Sequence, residues 1–150
     1  MRWSTWRMIG ASVAASGVVA GFVVNIARAA RMGQSLGLVV ADYFSYFTIV
    51  ASLATIVVLM IAARRSGPLA APDGVESPAL AIALATTSAA TIILGVVYNA
   101  LLRGLPADLP SPDPTIIAVL DRWEIETLHV VLPLYVIVDV LFARAAPEHE

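Results

Sequence analysis

The sharpest chemistry in this sequence belongs to one histidine and one threonine. His129 is the sole imidazole set in an apolar run, and it stands four residues before Pro133. An imidazole takes and gives a proton near neutral pH. Proline removes the hydrogen bond from its own nitrogen to the carbonyl four residues earlier, so the His129 carbonyl is expected to be free for water or substrate. Thr48 becomes a nucleophile if His129 serves as its base. Against this stand two plainer roles: membrane threonines commonly bond the carbonyl one turn back, and a membrane histidine can simply hydrogen-bond a neighbouring helix. Glu126, one turn before His129, and Asp42 are the carboxylates available to orient the imidazole. Asn99, Tyr98 and Arg103 are the groups that could hold a substrate or steady an oxyanion.

Metal chemistry is not supported. Glu126 and His129 have the Glu-x-x-His spacing of carboxylate-bridged metal bundles, but that site needs a second such pair and two further glutamates. A bis-histidine haem is excluded because the other histidine, His149, lies in a charged tail. There is no cysteine, which removes disulfides, thiolate sites and a cysteine nucleophile. No cofactor is expected.

Composition says where these residues must work. Of 150 residues, 59% are hydrophobic and 13% charged, against roughly 45–50% and about 25% in soluble domains. Mean hydropathy is +0.86. A disordered chain needs the reverse balance, and a water-soluble globule could not cover so much apolar surface. Net charge is -2, with no basic footprint for nucleic acid. Every basic residue is arginine, and alanine is abundant, a usage that points to a GC-rich bacterial genome. The expected setting is a bacterial cytoplasmic membrane, with the lipid bilayer as partner.

A helical span needs about 20 mostly apolar residues, and four stretches qualify: 8–27, 43–63, 79–102 and 125–143. The expected fold is therefore all-α, a single transmembrane domain over 1–150 built as a four-helix bundle with a polar pocket at one membrane face. Arg28, Arg31 and Gly33 mark the first break, Ser66-Gly67-Pro68 and Pro72-Asp73-Gly74 the second, and the Pro- and Asp-rich run from Pro106 to Pro114 the third. Arg2 and Arg7 ahead of an apolar run, with Ala27-Arg28-Ala29 after it, resemble a cleavable leader. The run is about 20 residues where a leader core has 7–15, which favours a span. Gly17 and Gly21 form a small-xxx-small pair whose expected use is packing within the bundle. Arginine counts favour a cytoplasmic N-terminus by five to four, with the acidic Pro-rich loop outside.

Topology then gathers the polar residues. The first and third spans end, and the second and fourth begin, at one face. There lie Asn25; Asp42, Ser45 and Thr48; Tyr98, Asn99 and Arg103; and Glu126 and His129. Such groups are expensive at membrane depth and face a bundle interior or a wet cavity. Thr48 and His129 each sit four or five residues into their spans, at about 1.5 Å per residue roughly 7 Å below the rim. Ser45, Thr48, Ser52 and Thr55 recur on one helical stripe, and Thr87, Thr91, Gly95 and Tyr98 on another. Two such stripes suit a pair of helices lining a polar seam. The opposite face holds chiefly Asp139.

Three segments in order, Ser45-Tyr46-Phe47-Thr48-Ile49, Tyr98-Asn99-Ala100-Leu101-Leu102-Arg103-Gly104 and Leu128-His129-Val130-Val131-Leu132-Pro133 with Asp139 following, resemble small bacterial membrane proteins related to the FAR-17a and androgen-induced-gene family. Met1-Arg2-Trp3 fits as well. The resemblance spans nearly the whole chain. It implies a membrane hydrolase of lipid-like, fatty acyl esters in which Thr48 would attack and His129 would shuttle the proton. Relatives usually place Asn where this chain has Ser52 and continue for about two more spans beyond the His-bearing helix, so the resemblance implies a natural short form, a truncated product, or a subunit that completes the bundle as a homo-oligomer. The contrasting expectation is a non-catalytic scaffold or small-solute permease. No internal inverted repeat favours transport.

Overall fold

The computed structural model describes residues 3–65, 77–105 and 114–143, and within them every regular element is helical. The Ser66–Gly74 and Pro106–Asp113 turn signals and the 144–150 tail lie outside the described residues. In chain order the helices are α1 (Trp3–Arg31), α2 (Leu36–Ser45), α3 (Phe47–Arg65), α4 (Pro78–Val97), α5 (Thr115–Glu126) and α6 (Leu132–Ala143). A π-helical turn, Tyr98–Leu102, extends α4, and another, Thr127–Val131, joins α5 to α6.

Local chemistry explains the boundaries. Gly33 takes φ 65°, and Gln34 N–H reaches back to Ala29 O at 3.0 Å, a glycine-terminated helix end. Arg28 and Arg31 occupy the last turn of α1, where cations complement the helix dipole. Ser77 caps α4 by accepting the Leu80 N–H at 3.4 Å, with Pro78 in the first turn. Gly104, at φ 93°, ends the π turn after α4.

Four helical lengths, Trp3–Arg31, Phe47–Arg65, Pro78–Leu102 and Thr115–Phe142, are long and apolar enough to cross a membrane, and only 28–44% of their most apolar stretches is buried in the chain. The remainder faces outward: Val19, Ile82, Ile93, Val96, Leu134 and Leu141 are all exposed. Such continuous apolar surface suits lipid rather than water. These features are compatible with a multi-pass membrane protein. The core is thin and made of small residues on α1, Ala11, Ala14 and Val18, against Leu59, Leu84, Leu128, Leu132 and Val136.

The helices close as a ring. α1 packs on α3 and on α5, α3 on α4, and α4 on α6, so α3 stands diagonally across from the α5–α6 helix. Glycines set the α1 contact. A Cβ on Gly17 would meet Thr127 and Leu128, on Gly21 the Glu124 carboxyl, and on Gly10 the Tyr135 ring. The small-xxx-small pair thus works inside the bundle, as expected.

The second and fourth spans differ most from the sequence reading. The second span is not one helix over 43–63; it starts at Leu36 and breaks at Tyr46, whose φ of -63° and ψ of 128° are extended. Ser45 therefore leaves the Thr48–Thr55 stripe, and its hydroxyl donates to Ala41 O at 2.7 Å. Finally, the fourth helix begins at Thr115 rather than near 125, because the polar residues Asp121 and Glu124 are used against α1.

Candidate functional site

The seam between α3 and α4 is present. The Thr55 and Thr91 hydroxyls lie 3.0 Å apart, both buried. This contact fixes the register of two antiparallel neighbours. Seven residues along each, about two turns or 10.5 Å, Thr48 comes level with Tyr98. Tyr98 in turn lies on the His129 ring, with centroids 4.2 Å apart and planes inclined by 31°. Thr48 thus stands near the level of Tyr98 on the neighbouring helix and Tyr98 against His129, while the helices that carry Thr48 and His129 do not pack on each other. No hydrogen bond joins the two among the described residues.

The layer is deeper than a rim. Gly17, at the centre of α1, packs against Thr127 and Leu128 beside His129. Helices α1, α2 and α5 run on past this level. Three chain segments depart from α-helical geometry here: the Tyr46 break and the π turns at Tyr98–Leu102 and Thr127–Val131. π turns recur at functional sites, and irregular backbone at membrane depth is tolerated where protein buries it or a wet cavity is lined. Phe47 and Thr48 open α3, and their N–H groups have no acceptor within the chain among the described residues.

Each side chain proposed from sequence has a definite place. The Nδ1 of His129 donates to Ile125 O at 3.1 Å, since a carbonyl can only accept. That leaves Nε2 with its lone pair. The expectation of a free His129 carbonyl is corrected: Asn99 Nδ2 donates to it at 2.9 Å, and to Gly95 O at 2.8 Å. Both amide hydrogens of Asn99 are thereby engaged, and its Oδ1 accepts from Arg103 at 2.5 Å. Arg103 also pairs with Glu126 at 2.5 Å. Glu126 thus holds an arginine while a backbone carbonyl orients the imidazole. Asp42 lies on α2, exposed, and α2 packs on α1 and α3 rather than on the His129 helix. Tyr98 is half-buried, and its hydroxyl makes no hydrogen bond among the described residues.

Sequence reasoning missed a second polar group on α1. Arg28 pairs with Asp121 at 2.9 Å, and the Glu124 carboxyl occupies the space that a Cβ on Gly21 would take. Asn25 Nδ2 donates to Gly21 O at 2.9 Å. The signal was available: Asp121 and Glu124 share a face at i, i+3, but both precede the span expected over 125–143. At the other end of the bundle Arg7 and Asp139 form a buried ion pair at 3.2 Å.

The described residues form an all-α bundle in which four helices are long and apolar enough to cross a membrane. No family model, curated protein or solved structure matches the chain.

Proposed function

We propose that this chain is a multi-pass protein of the cell membrane that binds an uncharged amphiphile at the level of Thr48, Tyr98 and His129. One observation carries the reading. The groups at that level with hydrogen-bonding capacity left over are all neutral: the Phe47 and Thr48 N–H groups, the Thr48 and Tyr98 hydroxyls and His129 Nε2. The neighbouring charges, Arg103 and Glu126, neutralise each other. A site of neutral donors and acceptors suits a carbonyl or hydroxyl carried on an apolar body. Tyr46 and Phe47, exposed on the outer surface of the bundle, would give access from the bilayer.

The test is photolabelling in nanodiscs with a long-chain acyl ester bearing a diazirine beside its carbonyl. Adducts concentrated in 43–52, 95–103 and 125–133 support the site. Labelling spread evenly over every lipid-facing helix, the outer face of α1 included, overturns it.

A second reading, ester hydrolysis with Thr48 attacking and His129 as base, is favoured by the His129 tautomer, whose Nε2 carries the lone pair a base needs, and by the resemblance of the three segments. It requires Thr48 Oγ1 to come within about 3 Å of Nε2, directly or through one water, from a helix diagonal to that of His129. Turnover of the same ester that is lost in both Thr48→Ala and His129→Ala supports hydrolysis; equal turnover in all three proteins sinks it.

A further inference from the structure

Asn99 lies beside the polar layer, yet neither of its amide hydrogens is left for a ligand. What it holds is the backbone of the histidine turn. Pro133 has no N–H, so the carbonyl of His129 lacks its helical donor. A carbonyl left without a donor in apolar surroundings is costly. The Asn99 Nδ2–H supplies that missing donor from the neighbouring helix at 2.9 Å. Three further contacts make the fit specific. At Gly95, one turn before Asn99, a Cβ would stand 2.7 Å from Pro133 Cγ and 3.2 Å from the His129 carbonyl oxygen, so only glycine admits the proline ring here. Tyr98 covers the imidazole at 4.2 Å. Arg103 donates to Asn99 Oδ1, which fixes which way the carboxamide points, and is itself anchored by Glu126.

We infer that Asn99 is a positioning residue for the His129 imidazole. The segment Gly95–Arg103 grips the proline-kinked turn by its carbonyl while Tyr98 grips the ring, and the two holds together keep Nδ1–H on Ile125 O and Nε2 presented to the layer. Arg103 and Glu126 act one step further out, by holding the Asn99 carboxamide in the orientation that donates to His129. This rests on the layer being a site only for its purpose; the positioning itself needs no ligand.

The readout is the ring tautomer, by ¹⁵N NMR of histidine-labelled full-length protein in nanodiscs, with His149→Gln as the background so that His129 is the sole signal. The expected wild-type spectrum shows one dominant Nδ1–H tautomer. Asn99→Leu is expected to give a mixture in which the Nε2–H form reaches at least a few tenths of the population, and Arg103→Leu a smaller change in the same direction. Thr55→Val, which breaks the inter-helix hydroxyl contact one seam away, controls for general loosening and should leave the tautomer unchanged. A wild-type spectrum in both Asn99→Leu and Arg103→Leu overturns the inference, as does an equal shift in Thr55→Val. Should Asn99→Leu fail to fold, Arg103→Leu and Asn99→Ser carry the same comparison. Failed photolabelling beside a shifted tautomer would reject the ligand site and leave the positioning role standing.

Discussion

Arg7 and Asp139 are each almost fully buried, at 3% and 4% exposure, and join the start of α1 to the last turns of α6. Two charges removed from water are tolerable only as a pair, and removing one partner typically costs about 3–5 kcal/mol. Arg7→Leu or Asp139→Leu should each destabilise the bundle on that scale, measured as thermal unfolding in detergent, whereas Arg7→Leu with Asp139→Leu should recover most of the loss. A double variant no better than the worse single one would show that the pair does not act as a unit. Residue-scale legibility was uneven for a physical reason. Asp139 stood out because a lone carboxylate in an apolar run demands a partner. Arg7 did not, because an arginine directly ahead of the apolar run that starts at Met8 reads equally well as a flanking charge. Thr48 and His129 were matched in depth from helical rise alone, but that their helices stand diagonally and do not pack together depends on the order of the helices around the bundle, and rise carries no such information.

At the scale of elements, the glycines separate contacts that can give from contacts that cannot. A Cβ at Gly95 meets the Pro133 ring and a backbone carbonyl, neither of which can move without moving a helix; one at Gly21 meets the far end of the flexible Glu124 side chain. Overpacking against fixed atoms costs about 1–3 kcal/mol. Gly95→Ala should therefore lower thermal stability by about that much, and Gly21→Ala by clearly less, since Glu124 can rotate away. The reverse order would mean that the α1–α5 contact, not the Pro133 nest, is the tighter joint. The long helices were legible because apolar runs of span length have few other uses. The Tyr46 break was not, since Ser45-Tyr46-Phe47 holds neither glycine nor proline and only the packing of Tyr43, whose hydroxyl donates to Val18 O at 2.6 Å, reveals that α2 follows α1 separately. Helix α5 was hidden by its own polarity: Asp121 and Glu124 look like loop residues until α1 is seen to present Arg28 and Gly21 to them.

For the whole molecule, the arrangement of helices makes a topological demand that composition alone does not. α1 and the α2–α3 pair run antiparallel, so the C-terminal ends of α1 and α3 lie at opposite ends of the bundle, while the end of α4 returns to the same end as that of α1. An apolar exterior over the four long helices is compatible with a bilayer around their middles. Charged pairs sit near both ends of the bundle, Arg7–Asp139 at one and Arg28–Asp121 toward the other. Because the chain has no cysteine, single substitutions can report sidedness without background. In intact cells, a membrane-impermeant maleimide should label Met32→Cys and Leu105→Cys from one common side, and Arg65→Cys only from the other, whichever side is cytoplasmic. Met32 and Leu105 are both exposed at 43% and 65%, so a lack of labelling there would reflect the membrane and not burial in the protein. If Met32→Cys and Arg65→Cys were labelled from the same side, the α2–α3 segment would have to re-enter rather than cross. The break at Tyr46 would then be the apex of a hairpin, and the shared level of Thr48, Tyr98 and His129 would lose its basis.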